Sequence, residues 1–141
     1  MMELKDRILL KLSRMNTYLD ELEELLPQDE EDFIHDLKTK RACQKTIEAV
    51  IEEVLDILSM LVSYFKLGLP ESEDDIVRIA EKKGIISSEL AAKVKSMKGF
   101  RNILVHKYGE IDDEETYIFL THELKDFAAF EKEVKQYLKK K

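Results

Sequence analysis

The sequence of 141 residues contains few residues of the types that interrupt secondary structure or form covalent cross-links. It has four glycines, two prolines and one cysteine, Cys43. Such a small number of chain-breaking residues favours long helices over many short strands and turns. A single cysteine excludes an intrachain disulfide, which is typical of a protein that works in a reducing cytosol.

Long hydrophobic runs and a secretory leader are also missing. The most apolar segment, residues 54–69, contains Asp56 and Lys66 and is too short to span a bilayer comfortably. The N-terminus does not combine a basic start, an apolar core and a small-residue cleavage site, so we expect no signal peptide. We therefore expect a soluble cytoplasmic protein in which residues 1–141 form one domain.

Positive charge is scarce overall but concentrated in one segment. The net charge of −7 argues against a broad surface for binding nucleic acid. Residues 20–32 carry eight acidic residues and no basic one. Residues 93–107 carry no acidic residue and five basic ones, namely Lys93, Lys95, Lys98, Arg101 and Lys107. This segment is either a contact surface for a polyanion or an ordinary solvated helix face.

Hydrophobic residues recur at helical spacing along most of the chain. We find no convincing strand and no internal repeat. Amphipathic helices with short connections predict an all-α fold, an antiparallel bundle of four to five helices. The second predicted helix is so long that we expect a kink in it. The predicted helices cover approximately residues 4–26, 30–68, 72–84, 88–109 and 112–138.

The fourth predicted helix contains an arginine at a position where its apolar stripe requires a core residue. The stripe of Leu90, Val94 and Met97 reaches position 101 next, and that residue is Arg101. A buried guanidinium is unfavourable unless it is ion-paired or hydrogen-bonded. In one interpretation Arg101 pairs with a carboxylate across the bundle, and His106 is an ordinary residue at a helix C-terminus. In the other, both belong to a functional site.

Helix geometry separates these two residues within one chain. On a straight helix His106 lies about 140° from Arg101 and shares a side with Asn102, four residues earlier. Arg101 and His106 can converge only through a long side-chain reach, a distorted helix end or a second subunit.

Other motifs with a known chemistry are not found. His35 and His122 stand alone on predicted helices, so we expect both at the surface. No two histidines have the spacing of a helical zinc site, and the chain has neither a glycine-rich phosphate loop nor a nucleophile elbow. We therefore expect no metal and no cofactor.

Residues 97–112, MKGFRNILVHKYGEID, resemble the signature of the HepT-like toxin branch of the HEPN superfamily. They contain the pattern R-x4-H-x-Y, formed by Arg101, His106 and Tyr108, and residues 40–57 resemble the second-helix segment of that branch. The resemblance covers most of the chain. It implies an all-α homodimer that brings two R-x4-H motifs into one cleft, metal-independent cleavage of RNA, and a small nucleotidyltransferase antitoxin as partner.

The resemblance also implies roles for individual residues. Arg101 and His106 are the catalytic residues, Asn102 orients them, and Tyr108 receives AMP from the antitoxin. We expect the Tyr108 hydroxyl to be exposed beside the helix end at Gly109. Arg41 corresponds to an arginine that is common in the branch. The candidate contacts with the RNA backbone are Lys93, Lys95, Lys98 and Arg41.

These residue types suit RNA cleavage without a metal. A histidine side chain acts as base or acid near neutrality, and an arginine donates a fixed set of hydrogen bonds to phosphoryl oxygens. A dimer supplies two histidines, one for each proton transfer. The alternatives are a non-catalytic helical dimer that docks a nucleotidyltransferase and binds a nucleotide, and a purely structural bundle.

Overall fold

The protein is all helical, as the sequence predicts. A computed structural model describes residues 3–141 except the side chain of Tyr108, and this part contains no strand. A short 3-10 turn, Tyr108–Glu110, follows the fifth helix. The helices of the described part are α1 (Leu4–Leu25), α2 (Glu30–His35), α3 (Leu37–Tyr64), α4 (Glu73–Lys82), α5 (Ser88–His106), α6 (Asp113–His122) and α7 (Lys125–Lys139).

Helix α3 is the centre of the bundle. It packs against α1, α2, α4 and α5. Such a position requires apolar residues on more than one side of the helix, because each neighbour covers a different face. The sequence of α3 provides them, and its fully buried side chains include Ile47, Val50, Ile51, Val54, Ile57, Leu58 and Leu61.

Two ion pairs define how α3 lies against the segment that contains the signature. Arg101 contacts Glu52, and Lys40 contacts Asp113 at 2.9 Å. The two contacts are twelve residues apart along α3 and twelve apart along residues 101–113. Residues 101–113 therefore run antiparallel to the first half of α3, and the 3-10 turn lies towards the start of α3.

Three of the predicted helix starts are confirmed by their capping hydrogen bonds. Ser72, Ser87 and Asp112 each accept a hydrogen bond from the backbone N–H three residues later, at 3.1, 3.2 and 3.0 Å. Such bonds satisfy N–H groups that have no partner within the helix. Each start is thereby fixed by local sequence.

Two of the long predicted helices are divided in the structure. The kink expected within residues 30–68 is a complete break at Asp36, which ends α2 and caps α3 by accepting from the N–H of Thr39 at 3.2 Å. The prediction of one helix over residues 112–138 is wrong. This segment is interrupted between α6 and α7. There the N–H of Phe127 donates to the carbonyl of Leu124, three residues earlier, and not to a carbonyl four residues earlier as in an α-helix. Ile118, which lies on the apolar spacing that predicted this long helix, is exposed.

Candidate active site

The signature residues lie at the end of α5 and in the turn that follows it. Helix α5 ends at His106, and the N–H of Lys107 closes it by donating to the carbonyl of Ile103 at 3.0 Å. The end therefore comes three residues before Gly109, where the sequence predicted it. The chain then tightens into the 3-10 turn, in which the N–H of Glu110 donates to the carbonyl of Lys107 at 2.7 Å.

Arg101 is buried and hydrogen-bonded, with 7% of its surface exposed. Its Nε donates to Asn102 Oδ1 at 3.0 Å. Its Nη1 donates to Glu52 Oε1 of α3, and its Nη2 donates to Glu73 Oε1 of α4. Arg101 thus has the cross-bundle carboxylate partners that a buried guanidinium requires.

The charge of Arg101 is stabilised by these partners. Burial by itself would lower the pKa of Arg101, but the hydrogen bonds to Glu52 and Glu73 outweigh burial and raise that pKa above its ordinary value. The side chain of Arg101 is 9% exposed, whereas those of Glu52 and Glu73 are 43% and 40% exposed. The arrangement is a buried cation held by two carboxylates that solvent reaches.

His106 lies on a different side of α5 from Arg101. It is the last residue of the helix and is exposed, while Asn102 is half-buried. Because residues four apart share a side of a helix, Asn102 lies between the direction of Arg101 and that of His106. The structure therefore brings Arg101 and Asn102 together and leaves His106 facing solvent.

The predictions for Tyr108 and Arg41 concern the region beyond the end of α5. The side chain of Tyr108 lies outside the described residues, and only its backbone, the start of the 3-10 turn, is described. Arg41 is half-buried on the first part of α3 and donates to Gln44 Oε1 at 2.8 Å. Given the antiparallel register of α3, Arg41 belongs to the same end of the bundle as the turn.

The three lysines predicted to contact RNA differ in their surroundings. Lys98 donates to Asp74 at 2.6 Å, and Lys93 lies 3.9 Å from Glu123. Lys95 is exposed. The two acidic partners come from α4 and from the α6–α7 connection, which are distant in sequence from α5. The basic segment is therefore less positive in the structure than its sequence suggests.

Glu52 and Glu73 are the site residues that the sequence did not identify. One interpretation of Arg101 predicted a carboxylate partner, but the chain has 30 acidic residues and no local pattern selects two of them. The partners are 49 and 28 residues away from Arg101. Only the packing of α5 against α3 and α4 brings them together.

Other reactive groups lie apart from this region. Cys43 is buried, and burial raises the pKa of its thiol to about 11. His35 and His122 are exposed, as predicted. Among the described residues, no cluster of three or more His, Cys, Asp or Glu side chains is arranged to hold a metal ion. None of the helices within residues 3–141 combines the length and the apolar character needed to cross a bilayer.

The signature residues do not line the cavity that lies near the two chain termini. A cavity of about 670 Å³ is lined by the start of α1, the end of α3 and the C-terminal residues, and none of its lining residues belongs to α5. At the end of α5, Ile103 and Val105 are 39% and 42% exposed. Because residues two apart lie on nearly opposite sides of a helix, these are two separate exposed apolar side chains and not one patch.

Comparison with known proteins gives matches over most of the chain. The family model described as Ribonuclease HepT-like matches residues 15–134. The tRNA nuclease HepT of Aphanizomenon flos-aquae is 22% identical over 128 residues, which are 91% of this chain and 87% of that protein. The mRNA nuclease HepT of Shewanella oneidensis is 28% identical over 102 residues, which are 72% of this chain and 77% of that protein.

A solved structure has the same fold. It is the tri-AMPylated HEPN toxin of Shewanella oneidensis in complex with an MNT antitoxin. It superposes with a TM-score of 0.86 at 24% sequence identity, and the alignment covers 96% of this chain and 99% of that one. The shared architecture therefore extends over nearly the whole chain.

Proposed function

The chain belongs to the HepT-like ribonuclease family, and from this membership we propose that it is the RNA-cleaving toxin of a toxin–antitoxin pair. The observation that carries the proposal is the family match over residues 15–134, which contains all of α5 and the signature. The nuclease relatives support RNA as the substrate, and the toxin–antitoxin complex supports a small nucleotidyltransferase as the partner. We place the pair in the cytoplasm.

The active unit is a homodimer with both signatures in one cleft. Each chain supplies one His106, whereas cleavage requires one base and one acid. Ile103, one turn before His106 on α5, offers an exposed apolar side chain on the same side of the helix for a second subunit. Light scattering at micromolar concentration is expected to give the mass of two chains. A monomer with full activity would exclude this arrangement.

His106 and Arg101 divide the chemistry between them. One His106 removes the proton of the RNA 2′-hydroxyl, whose oxygen attacks the phosphorus atom. Arg101 donates hydrogen bonds to the phosphoryl oxygens, on which negative charge develops. His106 of the partner subunit protonates the 5′-oxygen as its bond to phosphorus breaks. The products are a 2′,3′-cyclic phosphate and a 5′-hydroxyl end.

The basic residues contact the RNA backbone on either side of this centre. Lys95 is exposed and contacts phosphate directly. Lys93 contributes when an RNA phosphate replaces its acidic neighbour Glu123, and Lys98, which has three N–H donors, contacts phosphate while it keeps its bond to Asp74. Arg41 acts at the other end of the cleft, beside the turn that follows α5.

An RNA cleavage assay tests the proposed reaction. Purified wild-type protein and the His106→Ala variant are incubated with labelled RNA in the presence of EDTA, and the product ends are identified by mass spectrometry. We expect EDTA-resistant cleavage by the wild type and 2′,3′-cyclic phosphate ends. A folded wild-type dimer that does not cleave RNA would favour the alternative, a non-catalytic dimer that docks a nucleotidyltransferase and binds a nucleotide.

Tyr108 is the residue through which the antitoxin inactivates the toxin. An AMP group on its hydroxyl places a negative phosphate next to the signature, where it competes with the RNA phosphate for Arg101. The wild type and each variant are co-expressed with a cognate nucleotidyltransferase and analysed by mass spectrometry. We expect AMP on the wild type and on the control variant Tyr64→Phe, which loses the hydroxyl of the exposed Tyr64. The Tyr108→Phe variant is expected to carry none. An equal adduct on Tyr108→Phe would exclude this role.

A further inference from the structure

The guanidinium of Arg101 is held by three acceptors from three helices. Asn102 accepts from Nε at 3.0 Å, Glu52 accepts from Nη1, and Glu73 accepts from Nη2. A guanidinium has five N–H groups, and the described bonds use three of them. The other two N–H groups have no described acceptor and are the ones left for a phosphoryl oxygen.

Both glutamates extend from backbone that is fixed in position. Glu52 lies in the interior of α3, the best-buried helix of the bundle. Glu73 is the first residue of α4, whose start has two capping bonds: Ser72 accepts from the N–H of Asp75 at 3.1 Å, and the Asp75 carboxylate accepts from the N–H of Glu71 at 3.0 Å. Capping bonds stabilise a helix start.

A second contact ties the start of α4 to α5. Lys98, one helical turn before Arg101, donates to Asp74 at 2.6 Å. Adjacent residues of α4, Glu73 and Asp74, thus contact residues three apart on α5. The first turn of α4 is therefore held against the same face of α5 from which Arg101 extends.

We propose that Glu52 and Glu73 are positioning residues of the ribonuclease site, which hold Arg101 in the one orientation that receives the phosphate. This inference rests on the proposed function. An arginine side chain loses much rotamer freedom when it binds a ligand, and a site that fixes it beforehand removes this loss from the reaction. The carboxylates orient Arg101 without touching the substrate.

The two carboxylates could also act on RNA binding through their charge. Two carboxylates and one guanidinium carry a net charge of −1, which by itself repels RNA. If repulsion dominates, removing either carboxylate will tighten RNA binding. If positioning dominates, removing the acceptor will slow the reaction, whereas a neutral acceptor of the same shape will preserve it.

Alanine and glutamine variants of Glu52 and Glu73 separate these effects in the full-length protein. Glutamine keeps an acceptor oxygen and removes the charge, while alanine removes both. The matched control is Asp56→Ala, which removes an exposed carboxylate of the same helix that lies 3.5 Å from Lys11 on α1. For each variant, kcat and KM for RNA cleavage are measured, and the folded fraction is determined from circular dichroism.

We expect Glu52→Ala and Glu73→Ala to lower kcat by about 10- to 100-fold with little change in KM. The glutamine variants are expected to stay within about threefold of the wild type, and Asp56→Ala to equal it. Alanine variants that are folded and keep the wild-type kcat would overturn the positioning role, and so would variants of both kinds that lower KM. A wild type that does not cleave RNA would overturn the proposed function as well, whereas the other outcomes leave it intact.

Discussion

Glu52 and Glu53 are neighbours on α3 but belong to two opposite kinds of ion cluster. Glu53 is a buried acid, with a side chain 10% exposed, and its partners Lys11 and Arg14 of α1 are 23% and 47% exposed. Glu52 is 43% exposed and contacts Arg101, whose side chain is 9% exposed. In the first cluster the acid is inside, and in the second the base is inside.

The two clusters also differ in how strictly they fix geometry. The distances from Glu53 to Lys11 and Arg14 are 3.5 and 3.6 Å, typical of a loose ion pair between long side chains. Arg101 is instead hydrogen-bonded through three of its nitrogens to α3, α4 and α5. The first cluster neutralises a buried charge, while the second orients one. Orientation is what a reaction centre requires.

The two clusters should differ most in RNA cleavage when each of them loses its arginine. Arg101→Ala is expected to lower RNA cleavage by about 10³- to 10⁵-fold, because the variant has no cation to stabilise the phosphoryl transition state. Arg14→Ala, which removes an arginine of the loose cluster, is expected to cleave at the wild-type rate. The rates are compared at saturating RNA. Equal losses in both variants would mean that Arg101 acts only through folding.

His106→Ala should abolish activity without any structural effect. Loss of a general acid or base lowers the rate by about 10²- to 10⁴-fold. His106 is exposed at the end of α5, so the melting temperature is expected to remain unchanged. His122→Ala is the matched control, because His122 is also the exposed last residue of a helix. A large fall in melting temperature for His106→Ala alone would contradict this assignment.

The two arginines should also differ in their contribution to stability. Arg101→Ala is expected to lower the free energy of unfolding by about 1–3 kcal/mol, because it removes charged hydrogen bonds from two carboxylates. The loss stays below the value for a fully buried pair, since water can solvate Glu52 and Glu73. Arg14→Ala is expected to change it by less than about 0.5 kcal/mol. Urea denaturation measures both, and equal stabilities would contradict the distinction.

The fold was predictable from the sequence to the level of its helices. Ser72, Ser87 and Asp112 mark helix starts through local hydrogen bonds, so the sequence contains the whole cause. The break at Asp36 also has a local cause, because Asp36 caps α3 by accepting from the N–H of Thr39, but apolar residues at helical spacing on both sides of it predicted a continuous helix. The start of α7 has no side-chain capping bond, and tertiary packing decides where the chain turns between α6 and α7.

The candidate site was predictable in part. The stripe of α5 indicated that Arg101 is buried, and the resemblance of residues 97–112 identified the family that was later matched. The identity of the carboxylate partners depends on how α3 and α4 pack against α5, which periodicity does not specify. In the proposed homodimer, the position of His106 relative to Arg101 also depends on how the second subunit packs, which the sequence of one chain does not specify.

The smallest expected effect is that of a substitution at Gly99, on the exposed side of α5. It lies seven residues before His106, and no described atom would lie within 4 Å of an added Cβ, apart from its own helix backbone and chain neighbours. Because glycine within a helix is destabilising relative to alanine, Gly99→Ala is expected to raise the free energy of unfolding by about 0.5–1 kcal/mol. Ser96→Ala, an exposed substitution on the same helix, is expected to have a smaller effect, and urea denaturation measures both. A loss of stability in Gly99→Ala at concentrations where the protein is dimeric would contradict the open surface, and would mean that a second subunit covers this side of α5.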